Sequence, residues 1–116
     1  MSEDITVFEK ILKKWLPANV VYEDSQVMAF TDINPVAPTH VLVIPKKKVG
    51  SFMDLKELSD ADVGVFFKSV AVVAEKIGLS KDGYRVVLNC GEHGQQSVNY
   101  MHAHIIGGRQ LKWPPG

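Results

Sequence analysis

The chain has 116 residues, 46% of them hydrophobic and 22% charged, with 13 basic side chains against 13 acidic ones. That length holds one core, and the balanced charge leaves no positive field to gather nucleic acid by its phosphates. One cysteine excludes an internal disulfide and a cysteine-rich zinc site.

Residues 5–16 place Ile5, Phe8, Ile11, Leu12 and Trp15 on one helical stripe, and Pro17 is the expected stop. Residues 20–23 and 27–31 are rich in strand formers and are separated by Asp24, Ser25 and Gln26, which predicts a hairpin. Asn34-Pro35 and Ala37-Pro38 mark a restricted loop, and His40 to Ile44 reads as an apolar strand ended by Pro45 and three lysines. Lys46 to Lys48 read as a solvated strand end. A second helix follows, N-capped by Ser59, with Val63, Phe66, Phe67, Val70, Ala71, Ala74 and Ile77 as its apolar stripe and Gly78 as its stop. Asp82-Gly83 turns into a strand over 84–89, a polar glycine-rich loop spans 91–97, and a last strand covers 99–106. Five strands and two helices without a βαβ rhythm predict one α+β domain over residues 1–116, with a largely antiparallel sheet. No apolar run approaches the ~18 residues of a membrane span, and the acidic start does not read as a secretory leader. A soluble, cytoplasmic or nuclear protein with no membrane partner is expected.

The last strand carries the chemistry. Alternation sends Met101, Ala103 and Ile105 to one face and Tyr100, His102 and His104 to the other, the two histidines about 7 Å apart at Cα. His40 opens another strand, and His93 lies in the polar loop. A solvated or core histidine pair is one reading. A zinc site is another, with His40, His93, Asp32 or Glu92 as the further ligand. Nucleophilic catalysis by a neutral imidazole is the third, the Gly91 to Ser97 loop offering N–H groups and a hydroxyl to a phosphate. Residue chemistry alone does not separate the last two.

The stretch Ser97 to Gln110 resembles the histidine triad motif, and more closely that of the histidine triad nucleotide-binding (Hint) branch of the family. Thr6 to Ile11, Ala29 to Pro35, Ala37 to Lys47 and Trp113 to Gly116 fit the same pattern in order. The resemblance implies a purine nucleoside phosphoramidase that cleaves adenosine 5′-phosphoramidates, AMP joined to an amine or lysine, through an adenylyl-histidine, without a metal or other cofactor. It implies a five-stranded antiparallel sheet with two helices, continued across a homodimer. By position, His102 matches the nucleophile, His104 the histidine on the phosphate, and His40 a histidine of the pocket network. Asp32 matches the ribose-binding acid, and Val7, Phe8, Ile11, Phe30 and Ile33 the slot around the base. Asn89 and Ser97 match polar groups near the phosphate and leaving amine, and Trp113 a tail residue near a partner's site.

Two positions depart from the pattern. Tyr100 stands where the first triad histidine belongs. Its carbonyl can still orient His102, while its phenol can donate or accept toward His40 but cannot take up a proton near neutrality. Gln95 replaces a glycine of the phosphate loop, with the expected loss of positive φ there. A weakly catalytic nucleotide-binding or scaffold protein and a dinucleoside polyphosphate hydrolase are the competing expectations.

Overall fold

The computed structural model describes residues 5–116. Helix α1 spans Val7–Leu12, and its start is fixed by a capping box: the Thr6 side chain accepts from the Glu9 N–H while the Glu9 carboxylate accepts from the Thr6 N–H. The helix is shorter than the predicted 5–16. Lys14 takes φ 66°, its N–H reaches the Ile11 carbonyl, and the Trp15 N–H reaches that of Lys10. This Schellman turn, rather than Pro17, closes the helix and leaves Trp15 off the stripe and 61% exposed.

The predicted hairpin is β1 (Val20–Glu23) and β2 (Val27–Thr31), turned by Asp24, whose carboxylate accepts the N–H groups of Gln26 and Val27. β3 (Thr39–Pro45) follows, then a 3-10 helix (Phe52–Glu57) that the sequence pattern did not reveal, capped by the Ser51 hydroxyl. α2 (Asp60–Lys76) begins at the Ser59 cap and ends before Gly78, whose φ is 86°. Its buried stripe is Phe66, Val70, Val73 and Ala74; Phe67 and Ala71, predicted inside, face out. β4 (Tyr84–Val87) is two residues shorter than expected, and β5 (Ala103–Gly107) starts later than the predicted 99.

The strands form one antiparallel sheet in the order β1-β2-β3-β5-β4. α2 covers one face, where Val27, Ala29, Val41, Val43, Ala103 and Ile105 meet Phe66, Val70 and Val73. The opposite face carries a smaller cluster of Phe8, Met28, Phe30, Leu42, Ile44 and Tyr100. Lys46, Lys47 and Lys48 lie at the surface end of β3 as expected, and each also meets a carboxylate, of Glu23, Asp62 and Glu9, which the sequence pattern did not reveal. Among the described residues, no helix is long and apolar enough to cross a membrane.

Candidate active site

The α1 side of the sheet holds three of the four histidines. Alternation along β3 puts His40 on the face of Leu42 and Ile44, and alternation along β5 puts His104 on that face too, two residues past His102. The rings of His102 and His104 are 5.0 Å apart between centroids, and those of His104 and His40 5.1 Å. His93 stays on the exposed loop with Glu92.

The hydrogen bonds fix which nitrogens carry protons. His102 Nδ1 lies 2.6 Å from the Tyr100 carbonyl, which can only accept, so Nδ1 is the protonated nitrogen and Nε2 keeps its lone pair. The ring is only 4% exposed. Among the described residues no buried side-chain nitrogen or oxygen lacks a partner, so the unbonded Nε2 is the edge that reaches the surface. The Val36 N–H donates to His40 Nδ1 at 3.2 Å, which leaves the His40 proton on Nε2. That proton lies between His104 Nδ1 at 2.9 Å and an Asp32 carboxylate oxygen at 3.4 Å. His104 Nδ1 therefore accepts, and its Nε2 carries the proton. One ring thus presents a lone pair and its neighbour an N–H donor.

Both rings are held neutral. Burial lowers the His102 pKa, against the pull of the Tyr100 carbonyl and Asp32. Burial, followed by the nearness of His102 and His40, pushes His104 down to about 4.

Asp32, His40 and His104 bring three donor atoms within 4.8 Å of one another, the geometric outline of a metal site. The donor set does not fit one. A metal on His40 Nε2 would force the proton onto Nδ1, where it would face the Val36 N–H. His102 cannot replace it through Nδ1, which the Tyr100 carbonyl holds.

The other sequence-predicted residues divide into two groups. Phe8 and Phe30 are buried in the smaller core, and the Phe8 ring stands edge-on to His102 at 4.9 Å. Val7 and Ile33 are open, Ile33 at 91% exposure beside Asp32, and Ile11 is half-buried against the smaller core. Asn89 does not point freely at a ligand: its amide donates to the Gly94 carbonyl at 2.7 Å. Ser97 is exposed on the loop, in a hollow shared with Gly91, Glu92, Gln95, Gln96 and Asn99. A larger hollow near Leu79, Tyr84 and Arg109 contains no histidine and lies away from this chemistry. Trp113 is 80% exposed, with the Arg85 guanidinium 6.0 Å from its ring.

Two expectations about the departures are corrected. Gln95 keeps the positive φ of a glycine, at 63°, because the turn around it demands that conformation. Tyr100 does not reach His40; its hydroxyl donates to the Pro45 carbonyl, and His104 takes the place beside His40. Sequence reasoning also missed Gln96, which staples the loop: its amide donates to Gly50 and Val98 carbonyls and accepts the Gly91 N–H. Gly94 is equally constrained, since a Cβ there would lie 2.4 Å from the Cys90 carbonyl oxygen. The pair of glycines at 91 and 94 followed by a glutamine was the available signal for a tight, side-chain-braced turn.

Residues 13–111 match the model of the HIT domain. The chain is 49% identical to a 14 kDa zinc-binding protein of Zea mays, across all of this chain and 91% of that one. A HIT family hydrolase from Legionella pneumophila Philadelphia 1 superposes with a TM-score of 0.86 at 42% identity, over 95% of this chain and 98% of that one. A histidine triad nucleotide-binding protein from Candida albicans gives 0.79 at 26% identity, over 97% and 85%.

Proposed function

The chain belongs to the HIT domain family, and from that premise we propose that it is a purine nucleoside phosphoramidase, hydrolysing the P–N bond of AMP joined to an amine. The carrying observation is the pair of tautomers: His102 with Nδ1–H bound to a carbonyl and Nε2 free, beside His104 with Nε2–H. The hydrolase in the Legionella relative's name supports the general class.

In this reading His102 Nε2 attacks phosphorus, the P–N bond breaks and the amine leaves with a proton drawn from solvent water. Water then cleaves adenylyl-His102 to AMP and restores the ring. His104 Nε2–H donates to a phosphoryl oxygen, which needs a neutral donor rather than a lone pair. Ser97 and Gln95 face the phosphate and leaving amine from a loop that the Asn89 and Gln96 amides brace. Val7, Ile11 and Ile33 wall the base, and Ile33 has an exposure that packing within this chain does not explain. Asp32 keeps acceptor capacity for ribose hydroxyls while one oxygen takes the Asn34 N–H. A homodimer would extend the sheet at β4, one of its two outer strands, where Tyr84 and Val86 are partly open, and would bring the Trp113 tail toward a partner's site.

The test is turnover of an adenosine phosphoramidate against a diadenosine polyphosphate, with and without chelator, in wild type and His102→Ala. Preferred cleavage of the phosphoramidate, indifferent to chelator and lost in His102→Ala, is expected. Preference for the polyphosphate, or loss of activity on chelation, overturns the assignment.

A further inference from the structure

Strand β3 outlasts its partner. The pairing of β3 with β5 runs from Thr39 opposite Gly107 to Val43 opposite Ala103 and then stops. Continued in register, it would set Ile44 against His102 and Pro45 against Met101. Pro45 has no N–H for such a rung. The Met101 N–H turns instead to the Val49 carbonyl, at 2.7 Å. Tyr100 therefore lies outside the sheet, its own N–H tied to the Val98 carbonyl two residues back at 2.8 Å. Among the described residues no rung of the sheet orients the Tyr100 carbonyl, which holds His102 Nδ1; its peptide unit is held from the far side by the Met101 N–H on Val49.

The Tyr100 side chain adds a second attachment, to the end of β3 itself. It is 1% exposed, its ring stands edge-on to Phe8 at 6.0 Å, and its hydroxyl donates to the Pro45 carbonyl. Burial, with Glu9 adding, raises the phenol above its ordinary value, so it remains a donor.

We propose that Tyr100 is a positioning residue: its hydroxyl, tied to the Pro45 carbonyl where the sheet gives out, sets the backbone carbonyl that holds His102 with Nε2 free. The side chain, with the Met101 N–H on Val49, thus does for the loop what a strand pair would do, and the triad's first position acts here without an imidazole. This rests on the nucleophilic reading of His102, and the test separates the two.

Wild type and Tyr100→Phe, both 15N-labelled, are compared by thermal unfolding, by the nitrogen shifts that report the His102 tautomer, and by cleavage of an adenosine phosphoramidate. Wild type should show Nδ1–H alone. Tyr100→Phe should fold, show a mixture of tautomers, and lose roughly three- to tenfold in kcat with KM little changed. A merely structural role would lower the melting temperature and leave the tautomer alone, and that result overturns the proposal. If Tyr100→Phe fails to fold, the wild type still decides, because a His102 protonated at Nε2 is incompatible with the proposal. If no phosphoramidate is cleaved by wild type, the functional reading fails, while the tautomer comparison still judges the role of Tyr100.

Discussion

Gln95 occupies a backbone conformation that costs an L-residue on the order of 1 kcal/mol, because its Cβ approaches its own carbonyl. The side chain is exposed, and among the described residues no hydrogen bond from it repays that strain. Gln95→Gly should therefore stabilise the protein by about 0.5–1 kcal/mol in urea unfolding, less than the full strain because glycine has more freedom to lose. Equal or lower stability in the variant would mean that the glutamine side chain contributes packing not visible as a hydrogen bond. The same residue shows how a sequence misleads. The absence of glycine predicts the absence of positive φ, whereas the turn closed by the Gln95 N–H on Glu92 and by the stapling amide of Gln96 imposes it.

At the scale of elements, what was readable followed from local rules. β1, β2, β3 and α2 announce themselves through alternation, turn residues and the Ser59 cap, and they lie where those signals put them. The ends that shifted are those set by distant partners. β5 begins at Ala103 because of Pro45 on another strand, and α1 ends at a Schellman turn built on a lysine, not a glycine. The 3-10 helix repeats every three residues and carries no buried residue, so hydrophobic periodicity could not reveal it; only Ser51 hinted at a cap. The candidate site divides in the same way. Alternation on the last strand was enough to place His102 and His104 on one face. The bonds that set their chemistry join positions 64 apart, His40 to His104, and 55 apart, Tyr100 to Pro45, and no local pattern encodes them.

At the scale of the molecule, the buried imidazoles tie stability to pH. The unfolded chain titrates its histidines near 6.5, while burial holds His102 below that and His104 at about 4. Between those values the unfolded state binds more protons, so stability rises with pH: it is complete above about 6.5 and is lost as pH falls toward 4. The loss should reach roughly 2–3 kcal/mol by pH 4. Glu9 and Glu23, held low chiefly by the Thr6 backbone N–H and by Lys46, add loss in the same direction at still lower pH. Urea midpoints at pH 7.5, 5.5 and 4.5 measure this, and a flat profile across that range would contradict the neutral, buried pair.

The two faces of the sheet are guarded unequally. Seventeen residues of α2 cover one face, while on the other six residues of α1 press a single buried ring, Phe8, against His102. Isolated six-residue helices do not persist, so α1 is held by its capping box, the Lys48–Glu9 pair, that one buried ring and the half-buried Ile11 and Leu12 beside it. Local opening of α1 should therefore need far less free energy than global unfolding, and its amides should exchange with deuterium well before those of α2 and β3. Each such opening would strip the Phe8 wall from His102 while the larger core stays intact. Catalytic competence would then be a property of a subpopulation, set by one short helix rather than by the stability of the whole. Equal protection of α1 and α2 amides would show instead that the site is as durable as the fold.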